Sequence, residues 1–384
     1  MTVFETLAKK PLFSSTIDTS RMPRIYAKIA SKLNLPPVVH IVGTNGKGST
    51  GRFLALMMKD LKICVGHYTS PHIKNINERF WIDGECVEDA SLEKNHIFLK
   101  EILSKEDFDE LSYFEYLTLL APLVFKDCDT VILEAGLGGE FDATNVFPKS
   151  LSIVTTIGLD HQSFLGDTIE EIASTKLRSV NTTTLLSKEQ TFKVKKIAKE
   201  IAYKKELPLL FTKDLVCDKT LKEIDAYIIK LSYPDFLKSN LQTAYAAARA
   251  LHLTPNIKSL SPLDLRGRFE QYSDNIILDC GHNPLAASAL FKALPNKKYN
   301  FIYNAYEDKD VEAVLKILAP KIKSLFIMPL EFKGRESSEK KIEKTARELK
   351  IETSLYDFKI NPKDFYVVFG SFAVIEGFLK ATNA

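Results

Sequence analysis

Cysteine is scarce and poorly spaced for cross-linking. The five residues, Cys64, Cys86, Cys128, Cys217 and Cys280, include no C-x-x-C pair, which argues against a structural zinc site or a disulfide framework. Cys64, Cys128 and Cys280 sit among apolar neighbours and read as reduced core thiols. Surplus charge is almost absent. Lys and Arg number 52 against 49 Asp and Glu, a formal charge of +3, so bulk electrostatics give no reason to expect a nucleic-acid partner. No run of about 18 apolar residues occurs, and no basic-then-apolar leader opens the chain. No repeat of about 20–50 residues and no low-complexity tract is visible. The expectation is a soluble, cytoplasmic protein with no membrane partner, and a monomer.

What remains is ordinary globular composition: 384 residues, 45% of them hydrophobic. At about 100–200 residues per domain that is enough for two cores. The most informative stretch is Val38–Thr50, VVHIVGTNGKGST. An apolar strand exits through Gly43 into Thr44, Asn45 and Gly46, and a helix begins around Lys47 and Gly48. A strand, a glycine turn and a helix N-terminus make an anion cradle, because backbone N–H groups point at the ligand and Lys47 adds a mobile positive charge. Ser49 or Thr50 can place a hydroxyl on a phosphate-bound metal. The spacing is G-x-x-G-K-G-S, which differs from the generic P-loop pattern.

Other strand exits carry polar groups, where α/β proteins place function. TVILEA ends in Glu134, a position suited to a magnesium ion on nucleotide phosphates; the plain alternative is a carboxylate paired with a lysine. GLGG follows and lets the backbone pass close to a ligand. SIVTTI leads to Asp160 and His161, readable as metal-binding or as hydrogen-bonding groups of the fold. After ICVGHY come Ser70, a weak candidate for a metal-binding hydroxyl, and His72, a surface loop residue on the plain reading. Lys176 lies in a helical segment and by itself reads as a solvated side chain. Asn240 lies near the start of an alanine-rich helix, FLKSNLQTAYAAARAL. DAYIIKL reads as a strand.

The pattern predicts an α/β fold: a P-loop-containing central ATPase domain with a mostly parallel sheet over residues 1–259, and a smaller C-terminal α/β, Rossmann-like domain over 260–384. The boundary is the proline-containing, polar stretch TPNIKSLSPLD. In the second domain Arg268, Asp279 and His282 are expected to face outward at loop positions.

Taken together, VGTNGKGST (42–50), TSPHIKNINER (69–79), LEAGLGGEFDATNV (133–146), GLDHQSFLGDTIEEIA (158–173), GRFE (267–270), ILDCGHNP (277–284) and DKD (308–310) resemble the folylpolyglutamate synthase and dihydrofolate synthase family, within the Mur ligase superfamily. The segments keep family order over most of the chain. The resemblance implies an ATP-dependent ligase that joins L-glutamate to dihydropteroate or reduced folates through an acyl phosphate, with ATP and two magnesium ions as cofactors. It implies that Lys47 reaches the phosphates, that Ser49, Ser70, Glu134 and His161 serve metal, and that Lys176 is the lysine carried as a carbamate at the second magnesium. Asn240, Arg268, Asp279 and His282 would contact ATP. A Mur-type ligase on a UDP-linked peptide, a P-loop module without ligase chemistry and a purely structural α/β protein stand as alternatives. Three departures bear on the site. Glu140 follows GLGG where the family carries arginine, a negative charge that would repel a glutamyl tail. TKLRS stands in place of EKAGI around Lys176. Pro234, Phe236 and Leu237 replace the glycine, histidine and glutamine before Asn240.

Overall fold

The computed structural model describes residues 1–12, 18–330 and 336–382. The chain divides into two compact units. The first comprises Met1–Ile157, Ile169–Leu231 and Leu237–Leu263, and the second comprises Gly158–Thr168, Ser232–Phe236 and Asp264–Ala384.

The first unit is built on an eight-stranded sheet. Its strands are β1 (Val38–Val42), β2 (Val65–Tyr68), β3 (Phe80–Ile82), β4 (Glu85–Cys86), β5 (Thr130–Glu134), β6 (Leu151–Val154), β7 (Thr184–Leu186) and β8 (Leu209–Phe211). They lie in the order β4-β3-β2-β5-β1-β6-β7-β8. All pairings are parallel except β2–β3 and β3–β4. The β3–β4 hairpin turns at Asp83-Gly84, whose φ values of 48° and 115° suit a residue pair of this kind. β1 is the centre. Its five residues VVHIV are all buried, as the middle strand of a parallel sheet covered on both faces requires. The register sets Ile41 beside Glu134 of β5 and Val42 beside Val154 of β6. The carboxyl ends of three strands therefore meet at one edge, where open α/β sheets bind ligands.

Helices cover the sheet. Lys47–Asp60 follows β1, and Tyr113–Val124 opens with a Ser112/Glu115 capping box, each partner satisfying an otherwise orphan N–H. The early segment RMPRIYAKIASKL forms the helix Arg21–Ile29 with a short 3-10 extension, and Ile25, Ile29 and Leu33 are buried as their spacing predicts. DAYIIKL does not form the expected strand. It completes a helix, Asp218–Lys230, that buries Thr220, Ile224, Tyr227 and Ile228. Read from Asp218, the buried positions fall three to four apart, and that period outweighs the short β-branched run.

The second unit has its own six-stranded sheet, made of β9 (Glu270–Ser273), β10 (Ile276–Asp279), β11 (Tyr299–Tyr303), β12 (Ile322–Ile327), β13 (Thr353–Leu355) and β14 (Tyr366–Phe369). The order is β13-β12-β11-β14-β10-β9, parallel except for the β9–β10 hairpin. β9 and β13 are short and largely unburied, so neither carries the apolar run that marks a core strand. Helices Pro284–Ala293, Val311–Leu318 and Glu339–Glu348 supply Ala287, Leu290, Val314, Leu315, Ile342 and Ala346 to a core shared with Phe301, Ile327 and Phe369. No helix among the described residues is long and apolar enough to cross a membrane.

Candidate active site

In the first unit the loop after β1 is held from two sides. The Thr44 and Asn45 N–H groups donate to the Thr156 carbonyl at 2.9 and 3.2 Å, which pins the loop beside the exit of β6. Gly43, at φ 151°, leaves no room for a side chain: a Cβ there would lie 1.9 Å from Thr155 Oγ1. Gly46 caps the helix Lys47–Asp60 with φ 86°, and a Cβ there would lie 2.5 Å from Asn240 Oδ1. Asn240 thus packs against the loop it was expected to serve. The N-cap residue, Gly46, offers no side-chain cap bond, and no acidic residue stands in the first turn. Its N-terminal end keeps the positive partial charge that attracts a phosphate.

Two lysines converge on one carbonyl. Lys47 Nζ donates to Gly43 O at 3.3 Å and to Thr44 O at 3.4 Å, and Lys176 Nζ donates to Gly43 O at 3.0 Å. Lys176 is 4% exposed, which overturns the solvated reading. Glu134 is buried with an oxygen 3.8 Å from Lys47 Nζ, and its other oxygen accepts from the Ser70 N–H at 3.3 Å. Paired cations at a helix N-terminus form a site for a polyanion. Next to Ser70, Arg79 Nε donates to His72 Nδ1 at 2.9 Å. His72 is half-buried, and burial with the Arg79 charge lowers its pKa to about 4, so it is a neutral acceptor.

The GLGG turn is tied to β1 by a buried chain. Asp142 accepts from the Leu137 N–H at 2.8 Å and from the Thr144 N–H at 2.9 Å. The Thr144 hydroxyl donates to Asp142 at 2.6 Å and meets His40 Nε2 at 2.8 Å. Because that hydroxyl already donates, His40 Nε2 carries the proton, leaving Nδ1 without a partner among the described residues. Burial holds His40 well below the usual histidine range and raises Asp142 above the usual carboxylate range. None of this was legible in the sequence, since His40 looks like one more residue of an apolar strand.

The same turn lies on the helix Ile169–Leu177. A Cβ on Gly139 would meet Lys176 O at 2.8 Å, and the Glu140 N–H donates to Thr175 O at 3.0 Å. The Glu140 carboxylate pairs with Arg178. Its charge is therefore matched by the other departure from the family pattern, which weakens the expected repulsion of a glutamyl tail.

The second unit gathers Asp160, His161 and His282. SIVTTI ends as a strand at Val154, so Asp160 and His161 stand in the following segment rather than at the strand edge. Asp160 accepts from Lys309 Nζ at 2.7 Å, Asn283 Nδ2 at 2.9 Å and the His161 N–H at 2.8 Å. His282 Nε2 lies 3.3 Å from the same carboxylate. Burial opposes ionisation of Asp160, but the His282, His161 and Lys309 partners outweigh it and hold the group well below the usual carboxylate range. Asp279 does not face outward. It ends β10, is buried, and accepts from the Gly281 N–H at 2.8 Å and the Phe269 N–H at 3.0 Å, which makes it a turn-holding group. Arg268 contacts the Cys280 thiol and lies over the Phe372 ring at 4.8 Å. Asn283, at the turn with His282, and Lys309, in the DKD segment, join the cluster, a role that their places in the sequence do not reveal.

A scan against protein-family models found no match. Searches of curated proteins and solved structures did. The chain is 32% identical over 388 residues to the dihydrofolate synthase/folylpolyglutamate synthase of Buchnera aphidicola subsp. Schizaphis graminum, covering 93% of this chain and 91% of that protein. It is 32% identical over 339 residues to the Escherichia coli protein of the same description, covering 83% and 80%. The crystal structure of Helicobacter pylori folylpolyglutamate synthetase superposes with a TM-score of 0.80 at 37% identity, over 99% of this chain and 98% of that one. An Escherichia coli FolC structure in complex with ADP matches with a TM-score of 0.80 at 25% identity, over 99% and 96%.

Proposed function

We infer the mechanism from the premise that this chain belongs to the dihydrofolate synthase/folylpolyglutamate synthase family. It is an ATP-dependent carboxylate–amine ligase acting with glutamate on folate substrates. The observation that carries the mechanism is the meeting of Lys47 and Lys176 on the Gly43 carbonyl at 3.3 and 3.0 Å, beside a helix N-terminus whose cap residue is Gly46.

A folate carboxylate oxygen attacks the γ-phosphorus of ATP, and ADP leaves. The neutral glutamate amine then attacks the acyl carbon, inorganic phosphate leaves with the electron pair of the broken C–O bond, and the nitrogen gives up one proton to solvent. The first step brings two anions together, so the chain's main task is to offset charge. Backbone N–H groups at the start of the helix Lys47–Asp60 cradle the phosphates, while those of Thr44 and Asn45 hold the loop on the Thr156 carbonyl. Lys47 leaves its loop carbonyls for the transferring phosphoryl group. Asn240 holds the Gly46 turn and adds a nucleotide contact.

The donor set fits magnesium. Ser49, Ser70 and Glu134 offer hard oxygen ligands of the kind that ion takes, and Glu134 already faces the cationic Lys47. Those residues would hold one ion; on the resemblance His161 is also read as a metal ligand, and Lys176 would serve a second ion once carbamylated, since a free ammonium has no lone pair to offer. When bound, magnesium neutralises repulsion between carboxylate and phosphates. On the resemblance, Arg268 and His282 of the second unit are proposed nucleotide contacts, with Arg268 also adding fixed charge for phosphoryl transfer; Asp279, whose two oxygens accept from the Gly281 and Phe269 N–H groups, holds the turn that carries His282.

For the acceptor we propose both dihydropteroate and reduced folates, since the Glu140 charge is matched by Arg178 and no longer argues against a glutamylated tail. Two assays decide it, each with ATP and L-glutamate, one with dihydropteroate and one with tetrahydrofolate. Product is read by mass as the gain of one glutamyl residue. Product from both is expected. Product from one alone removes the other activity, and product from neither, with ATP still bound, overturns the reading.

A further inference from the structure

Asp160, Asn283 and Lys309 have no part in the reaction as described, although His161 and His282 beside them do. Asp160, His161 and His282 offer ligand atoms within 4.8 Å of one another, which at first suggests a metal site. The charge is already supplied. Lys309 Nζ lies 2.7 Å from Asp160, and both side chains are nearly buried, at 5% and 7% exposure. Asn283 Nδ2 takes the other oxygen at 2.9 Å, while its own Oδ1 caps the helix Pro284–Ala293 by accepting from the Ala286 N–H at 2.8 Å. Asn283 thus fixes Asp160 to a rigid element. Lys309 stands one residue before Asp310, whose side chain caps the helix Val311–Leu318. Asp160 is in this way held by two helix starts of the second unit.

The segment so held is strained where it turns. His161 has φ 52°, a left-handed conformation that is uncommon outside glycine. Asp160 helps keep it there by accepting from the His161 N–H at 2.8 Å. The Phe164 and Leu165 N–H groups return to the His161 carbonyl at 3.0 Å and start the short helix Gln162–Leu165. At the other side a Cβ on Gly158 would lie 2.9 Å from Leu285, so the segment lies close against the helix that Asn283 caps.

We propose that Asp160 is a positioning residue, and that its pairing with Lys309 and Asn283 fastens the segment 158–168 to the second unit and fixes the direction of the His161 side chain for the ligase reaction. The proposal rests on the reading of His161 as a residue of that reaction. A buried ion pair of this kind contributes little net stability but is costly to break on one side only, which suits a part whose work is orientation.

The test uses the full chain and four variants: Asp160→Asn, Lys309→Met, Lys309→Arg and the double variant Asp160→Asn/Lys309→Met. Amide hydrogen exchange and steady-state kinetics are read together. Exchange over 158–168 is expected to quicken in Asp160→Asn and Lys309→Met. Turnover should fall by about 10–100-fold, the scale of a misplaced group, with KM for ATP changing less than about twofold. Lys309→Arg should recover most of the turnover. The double variant carries no unpaired buried charge, so it separates misfolding from misplacement: it should melt near the parent and still turn over slowly, with the two single effects less than additive. Unchanged turnover in Asp160→Asn, or unchanged exchange over 158–168, overturns the proposal. His161→Ala, measured alongside, distinguishes the failures. Full activity there removes the role of His161 and the proposal with it. Lost activity there beside a fully active Asp160→Asn removes the positioning role alone.

Discussion

Lys47 shows how one residue's chemistry can be local enough to read in advance. Its neighbours in sequence, Gly43 to Thr50, are also its neighbours in space, and its ammonium bends back onto the Gly43 and Thr44 carbonyls. Lys47→Ala is expected to lower turnover by about 10²–10³-fold, the usual result of removing one donor to a developing charge. The urea midpoint should hardly move, because the bonds lost are long and Glu134 keeps its bond from the Ser70 N–H. Wild-type turnover in a folded Lys47→Ala protein would sink the assignment. Lys176 is the contrast. Its acceptor lies 133 residues earlier in the chain, so nothing beside it marks it as buried or as part of the phosphate site. Burial of a lysine is a property of the packed sheet, and a helical sequence gives no view of it. The same holds for His40, whose meaning depends on Thr144 and Asp142 reached through β5.

The helix Ile169–Leu177 is positioned at its C-terminal end. Lys149 Nζ donates to Ser179 O at 2.8 Å, and Lys205 Nζ donates to Arg178 O and Val180 O at 2.6 and 2.7 Å. Cations are favourable at that end of the dipole, and burial lowers the Lys149 pKa to about 8. Glu140 is the one carboxylate paired there among the described residues. Glu140→Arg therefore adds a cation beside Arg178, Lys205 and Lys149, and is expected to destabilise the fold by about 1 kcal/mol, since the pair is part-exposed and screened. The reciprocal double variant, Glu140→Arg with Arg178→Glu, should recover most of that loss in urea unfolding. An additive result would mean that the pair does not couple. Glu140 and TKLRS are each visible in the sequence as departures from the family pattern, but nothing in a linear string places residue 140 against residue 178. DAYIIKL failed for a related reason: a seven-residue window holds one strand's worth of pattern, and the helical period appears only when the four turns back to Asp218 are counted.

At the scale of the whole chain, the two sheets and their helices were legible because each is built from long, strongly patterned segments. The placement of Gly158–Thr168 and Ser232–Phe236 in the second unit was not, because the partners of these short pieces, such as Lys309 for Asp160, lie far along the chain. The first unit can be followed separately, since the single tryptophan, Trp81, is buried on β3 directly across from His67. His40, His67 and His96 are buried in that unit, and burial lowers the pKa of all three, well below the usual range for His40 and His67. Nearby cations add to the effect, Lys149 at His40 and Arg52 at His67. In the unfolded chain these imidazoles take up protons near pH 6.5, whereas in the fold they stay neutral to lower pH. The unfolded state therefore binds more protons below about pH 6.5, and stability falls as pH drops through that value, by up to about 1.4 kcal/mol per pH unit for each histidine. Asp142 acts in the opposite sense: its raised pKa lets the fold take up a proton before the unfolded chain does, which offsets part of the loss at the acid end. His72, lowered to about 4 in the same unit, acts with the three, so a net loss remains and the urea midpoint read from Trp81 fluorescence should fall between pH 7 and pH 5. His40→Gln should make that fall shallower, because glutamine keeps an amide donor for Thr144 and has no proton to gain. A midpoint that is level from pH 7 to pH 5 would show that these histidines titrate alike in both states, and would remove the burial argument at all three positions.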